Sequence, residues 1–155
     1  MKKLIIIVLI SVGVVGGVVL LKSGKTSAPA NPTSHIYGEG SSGVKLVEYA
    51  DFQCPGCGAF FPILQQVKAK YKGQISFQFV NFPLSQIHPN AQSAHRAAQA
   101  ASNQNKFWEM HDLIYQNQNN WKDSTNVSAV FEGYATELGL DLARFKTDFA
   151  SSETQ

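Results

Sequence analysis

Both cysteines of the chain fall in one short stretch, "DFQCPGC", where Cys54 and Cys57 are separated by Pro55 and Gly56. Two thiols at this spacing can exchange disulfides, supply half of a metal site, or close a small staple. If a helix opens at the motif, Cys54 takes the N-cap. Pro55 then takes the first helical position, where a missing N–H costs nothing. The amides of Gly56 and Cys57 would point back at the Cys54 sulfur and, with the helix dipole, favour its thiolate. Thiolate character is what attack on a disulfide requires. Cys57, turned inward and within bridging distance, could attack a mixed disulfide on Cys54 and release the partner.

The other chemistries fit less well. A disulfide across so short a loop constrains the unfolded chain very little. A zinc or copper site needs two more ligands, and His35, His88, His95 and His111 are scattered, none at a ligand spacing to the cysteines. No metal and no cofactor are therefore expected. Two inert buried thiols would be oddly placed at a proline-turned helix start. The redox pair is the reading retained.

The motif has the flanks such chemistry needs. "VKLVEYA" (44–50) is β-prone and apolar on both faces apart from Lys45 and Glu48, which reads as a central strand. After the motif, Phe60, Phe61, Leu64, Val67 and Tyr71 fall at helical spacing, with Gly73 at the exit. "ISFQFVNFPL" (75–84) alternates Ile75, Phe77 and Phe79 with Ser76, Gln78 and Val80, a second strand. Strand, helix and strand of these lengths make a right-handed βαβ unit on a parallel sheet.

From Asn90 onward the pattern is helical. Ala91, Ala94, Ala97, Ala98 and Ala101 form a small-residue face, and Phe107, Met110, His111, Ile114 and Tyr115 form one apolar stripe. Phe131, Tyr134, Ala135 and Leu138 form another, closed by Gly139, and Asp141 caps a last helix carrying Leu142, Phe145 and Phe149. The Asn/Gln-rich stretch 103–120 reads as a polar helix face and loop. His88-Pro89 ends the loop before these helices, Asp51 ends the first strand, and His95 and His111 are packing or surface residues.

At 155 residues there is room for one ordinary domain. The net charge of +2 comes from lysines flanking the apolar segment Leu4–Leu21. Beyond Val44 acids and bases nearly balance, so no nucleic-acid face is expected. The apolar segment spans about 27 Å at 1.5 Å per residue, close to a hydrocarbon core. It reads as a membrane anchor over 1–21, with a cleaved signal peptide as the alternative. Residues 22–43 are rich in Ser, Gly, Pro and Ala and read as a flexible tether, with a short edge strand at His35–Tyr37. The domain would then occupy 44–155, outside the cytoplasm or secreted.

"VEYADFQCPGC" resembles the active-site strand and helix start of the DsbA-like branch of the thioredoxin superfamily. The likeness continues through "NFPLSQIHPNAQSAHRAAQAA" and "KFWEMHDLIYQNQ", which are similar to that family's helical insertion, and covers roughly 36–150. It implies an α/β thioredoxin-like fold with an α-helical insertion at 90–150. Pro62 matches the helix-kinking proline of such active-site helices, and Phe52 would pack beside the motif. Glu48 falls where the family carries a buried acid, a candidate proton relay for Cys57; the alternative is a strand-end glutamate in a salt bridge.

Two departures stand beside the likeness. The dipeptide is Pro-Gly, whereas strongly oxidising members have histidine in the second place, so a less oxidising pair is expected. Members also carry a cis-proline loop, last strands and a helix after the insertion, but here the final proline is Pro89. The sequence therefore reads as C-terminally incomplete, an N-terminal fragment of a longer protein.

The resemblance implies a thiol–disulfide oxidoreductase of the cell envelope, acting in the folding of exported proteins. Its partners would be reduced or misoxidised exported proteins and a membrane redox partner. A reductase or isomerase running electrons the other way, and a non-catalytic chaperone-like or metal-binding remnant, remain open alternatives.

Overall fold

A computed structural model describes residues 35–151. The expected anchor over 1–21 and the first part of the tether lie outside the described residues. Within them, no helix is long and apolar enough to cross a membrane.

Strand β1 (His35–Tyr37) is followed by β2 (Lys45–Ala50), helix α1 (Pro55–Lys70) and β3 (Ser76–Asn81). Helices α2 (Ala91–Ser102), α3 (Phe107–Gln116), α4 (Gln118–Trp121), α5 (Val127–Glu137) and α6 (Leu142–Ala150) complete the described chain. The three strands form one sheet in the order β1-β3-β2, with β3 antiparallel to β1 and parallel to β2. β2–α1–β3 is the expected βαβ unit. The described part of the stretch read as a tether packs on the domain: Ser41 and Ser42 donate backbone hydrogen bonds to the carbonyls of Gly73 and Gln74.

One strand assignment is corrected. β2 is an edge of the described sheet, and β3 is its centre. Apolar residues on both faces of β2 suggested burial on both sides, yet Val47 and Tyr49 stay exposed, Tyr49 to 69%. The other face of β2, carrying Leu46 and Glu48, is half-buried. Register sets these beside Phe77 and Phe79, both buried. The protected side of the sheet is the one on which Phe79 meets Phe52, Phe107 and His111.

α2 and α3 supply most of the rest of the core. All five alanines of the expected small-residue face are fully buried, as are Met110, His111 and Ile114. Backbones can approach closely across a face of methyl groups, which is what alanine at these positions allows. Phe131 and Phe145 bring α5 and α6 onto the same core. Gly139 follows α5 with φ 68°, a left-handed conformation that favours glycine. Asp141 caps α6 as expected, its carboxylate accepting from the Arg144 amide at 3.0 Å. The short helix α4 is not anticipated by any sequence signal.

Candidate active site

The cysteine turn is built from the backbone outward. β2 ends at Ala50, and Asp51 closes the turn that follows: its carbonyl accepts from the Cys54 amide at 3.1 Å and its Oδ1 from the Gln53 amide at 2.7 Å. Cys54 then occupies the N-cap of α1 in an extended conformation, with Pro55 at the start of the helix. The helix runs through Pro62, whose lack of an N–H leaves the Gly58 carbonyl without its usual donor. Pro55, Gly56 and Pro62 are exposed, while Cys54 and Cys57 are half-buried free thiols.

One expected detail is not found. The Cys54 side chain takes no capping hydrogen bond from the helix amides. The Gly58 amide goes to the Cys54 carbonyl instead, at 3.0 Å. The sulfur lies over Gly56, where an added Cβ would be 3.7 Å away. Cys54 sits at the helix start, and Cys57 one turn in.

Cys57 faces a different environment. It lines an open groove of about 440 Å³ with Leu46, Glu48, Ala50, Phe60 and Leu64. Burial raises the Cys57 thiol above its ordinary range. The Asp51 backbone amide opposes that rise, whereas the hydrogen bond with Cys54 and the charges of Cys54 and Glu48 add to it. Glu48 itself is raised by burial, with the positive charge of Lys68 pulling the other way. An acid and a thiol that share one groove and are both raised by burial are suited to passing a proton between them. Glu48 is half-buried on the groove side of β2.

Phe52 is fully buried beneath the motif. Its ring packs on Phe79, His95 and Tyr115 at centroid separations of 5.0, 4.7 and 4.9 Å. His95 and His111 are buried packing residues, not surface ones. Burial lowers His95 to a pKa of about 4, and His111 is lowered for the same reason. Phe60, placed on the helical stripe from its spacing, is half exposed, because that side of α1 borders the open groove.

Several residues that hold the site carry no local sequence signal. The amide of Gln118, on α4, donates to the carbonyls of Phe52 and Cys54 at 2.7 and 2.9 Å. Gln53 donates to the Lys122 carbonyl at 2.7 Å and accepts from the Asn90 amide at 2.7 Å. Asn90 in turn spans the carbonyls of Trp121, Lys122 and Ser124. The helices after β3 thus clamp the cysteine turn through side-chain amides. Among the described residues no cluster of three or more His, Cys, Asp or Glu is placed to hold a metal.

Comparison with known proteins agrees with this geometry. The family profile described as Thioredoxin matches residues 30–155. The fold resembles alpha-DsbA1 of Wolbachia pipientis with a TM-score of 0.68 at 19% identity, over 80% of this chain and 63% of that one. It resembles oxidised BdbD of Bacillus subtilis with a TM-score of 0.64 at 20% identity, over 75% of this chain and 65% of that one. The chain therefore spans less than two thirds of these structures. In sequence it is 37% identical over 123 residues to a protein named Na(+)/H(+) antiporter NhaA 3 from Salinispora tropica, covering 79% of this chain but 18% of that protein. A similar protein from Mycolicibacterium vanbaalenii, also named as an NhaA antiporter, is 35% identical over 127 residues and is covered to 19%. The chain spans under a fifth of these relatives, most of whose length has no counterpart here. With two cysteines in the turn between β2 and α1, a βαβ unit beneath it and a profile match across most of its length, the chain belongs to the thioredoxin family and has the fold of its DsbA-like oxidoreductases.

Proposed function

We propose that the chain is a thiol–disulfide oxidoreductase of the cell envelope, tethered by Leu4–Leu21 and exchanging disulfides with exported proteins. The observation that carries the reading is the contrast between the two thiols. Cys54 stands at the helix start, and Cys57 is one turn further in, raised by burial and sharing a groove with Glu48.

In the donating direction, a substrate thiolate attacks the Cys54 sulfur of the oxidised pair. The Cys54–Cys57 bond breaks as the mixed disulfide forms, and Cys57 leaves as a thiolate. Because burial disfavours that charge, Cys57 takes up a proton, and the carboxyl of Glu48, which shares its groove and is itself raised by burial, is the group placed to supply it. A second substrate thiolate then attacks the substrate sulfur and releases Cys54. The substrate has lost two electrons, the pair has gained them, and a membrane redox partner removes them again. Exported compartments are oxidising, which favours this direction. No cofactor takes part, since the two sulfurs carry the electrons.

The reverse direction, a reductase or isomerase, is favoured by one specific observation. The Cys54 sulfur receives no amide hydrogen bond and the dipeptide brings no cation, so the reduced pair lacks two stabilisers.

Replacing both cysteines by serine tests the class. An oxidoreductase loses all exchange with a reduced, unfolded substrate. A non-catalytic binder keeps its affinity for that substrate, and retained binding with no exchange in the unaltered chain would overturn the proposal.

A further inference from the structure

A second pocket, of about 510 Å³, shares no residue with the groove that holds Cys57 and Glu48, yet it too borders the cysteine turn. Gln53 and Pro55, the neighbours of Cys54 on either side, both line it. Its apolar wall is Pro55, Pro89 and Ile87. Ile87 is 70% exposed, and it is held in that position. The amides of Ile87 and His88 both donate to the Leu84 carbonyl at 2.9 Å, and the Leu84 amide is tied to the Asp51 carboxylate at 2.8 Å. Lone exposed apolar residues are common, but this one is pinned beside a pocket that borders the reacting sulfur.

Most polar groups of the pocket are already engaged. The side-chain amide of Asn90 donates to the carbonyls of Trp121, Lys122 and Ser124. Gln53 donates to the Lys122 carbonyl and accepts from the Asn90 backbone amide. The two charges at the rim, Lys122 and Asp123, are paired with each other. His88 keeps one nitrogen in reserve. Its Nδ1 bonds to the Asp51 carboxylate at 2.7 Å. A carboxylate only accepts, so Nδ1 carries the proton and Nε2 of the neutral ring is left as an acceptor. Asp51 is itself fixed by the amides of Gln53 and Leu84, so the ring is held in one orientation.

These features specify an occupant that is mainly apolar, uncharged, and able to donate one hydrogen bond. An apolar residue of a polypeptide, with its backbone N–H, is such a group. The place of the pocket says which residue it is. In a mixed disulfide the substrate cysteine is bonded to Cys54, and each further residue of an extended chain reaches about 3.5 Å from it, so an immediate neighbour of that cysteine comes to lie at Gln53 and Pro55.

We propose that this pocket is the subsite for an apolar residue flanking the substrate's cysteine, its side chain set against Ile87, Pro55 and Pro89 and its amide donating to Nε2 of His88. The inference rests on the exchange chemistry proposed above and adds no reaction to it. The substrate thiolate attacks the Cys54 sulfur, the Cys54–Cys57 bond breaks, and Cys57 leaves with the electron pair while the pocket holds the substrate chain. Apolar residues are mostly covered in folded proteins, so the pocket selects chains that are still unfolded.

The test uses the oxidised full chain in detergent micelles and end-blocked pentapeptides with a central cysteine, flanked on both sides by leucine or by serine. Opening of the Cys54–Cys57 bond is read by alkylation, with mercaptoethanol as a thiol that has no peptide group. The leucine peptide should react about tenfold faster than the serine peptide below saturation, the low end for an apolar group that fits a pocket. Ile87→Ser, and Thr125→Trp at an exposed position of the lining, should each bring that ratio close to one. His88→Ala should slow both peptides relative to mercaptoethanol by about tenfold, the loss of one hydrogen bond. The inference is overturned if the unaltered chain does not distinguish the peptides, if the preference survives in either Ile87→Ser or Thr125→Trp, or if His88→Ala leaves the ratio to mercaptoethanol unmoved. Should one variant fail to fold, the others decide. If no thiol opens the disulfide, mercaptoethanol included, the proposed function fails and this inference with it; opening by mercaptoethanol with no preference between the peptides sinks the inference alone.

Discussion

The carboxylate of Asp51 accepts a hydrogen bond from Nδ1 of His88 at 2.7 Å, joining the turn that presents Cys54 to the loop that leads into α2. The same carboxylate takes the amides of Gln53 at 2.7 Å and Leu84 at 2.8 Å, and it is almost wholly buried. A single side chain thus ties both loops at the mouth of the site.

Asp51→Ala would leave two backbone amides and an imidazole without their acceptor. Each buried orphan costs roughly 1–3 kcal/mol, so a loss of about 3 kcal/mol is expected. Urea unfolding of Asp51→Ala against His88→Ala checks this. The Asp51 change should cost clearly more, because His88 makes only one of the three bonds. Equal losses would mean that the amides find other partners.

Glycine at position 58 leaves room for the Gln118 side-chain amide. A Cβ at this position would overlap the Gln118 side-chain oxygen and lie 2.9 Å from its amide carbon. Gly58→Ala should push the Gln118 amide off the carbonyls of Phe52 and Cys54, destabilising the fold by about 1–3 kcal/mol and slowing exchange. Adding Gln118→Ala should relieve the clash, so the double variant should be more stable than the two separate losses sum to. Strict additivity would contradict the close packing.

Two buried histidines make stability depend on pH. His35 and His95 both have a pKa lowered from 6.5 to about 4 by burial. Each takes up a proton more readily in the unfolded chain. Their contribution is therefore complete above about 6.5 and is lost as pH falls towards about 4, so stability should rise with pH across this window. For His95 the full effect is on the order of 3 kcal/mol. Urea midpoints measured from pH 4 to 7 should slope upward, and His95→Gln should flatten the slope. A slope unchanged in that variant would mean that His95 titrates alike in both states.

The two thiols should fail in different ways. Cys57→Ser removes the resolving sulfur and should let mixed disulfides with substrate accumulate on Cys54, whereas Cys54→Ser should form almost none. Non-reducing electrophoresis after alkylation reads this directly. Equal trapping by both variants would contradict the division of roles.

Glu48→Gln should slow resolution by roughly 10²-fold at neutral pH, at the lower edge of what a positioned proton acceptor contributes, and should leave the first attack by Cys54 nearly unchanged. Stopped-flow measurement of the two steps separates them. A larger effect on the first step would assign Glu48 a different role.

How much of this could be read beforehand follows from the range of each interaction. The cysteine turn is legible because its cues are adjacent: a thiol at the N-cap, proline next, and apolar spacing after it. The alanine face of α2 and the aromatic stripe of α3 are legible from their periodicity. The clamp is not. Gln118 sits in a stretch whose composition suggests only a polar helix face, and its two acceptors are more than sixty residues away. Lys68 follows the spacing of a core residue, yet its residue type argues for solvent, and only the Trp108 ring, its centroid 4.0 Å from the ammonium, reconciles the two. The apolar character of β2 on both faces pointed to a sheet centre, but Val47 and Tyr49 remain exposed at an edge.

The most direct test of the central claim is the redox equilibrium of the full chain in graded glutathione buffers, read by counting alkylatable thiols. For scale, about −120 mV marks a strong oxidant and about −270 mV a thioredoxin-like reductant. The account predicts one two-electron transition in which both thiols disappear together, above about −200 mV for a disulfide donor. A transition near −270 mV would keep the pair but reverse the proposed flow. Two thiols that titrate independently, as free cysteines do, would contradict the account.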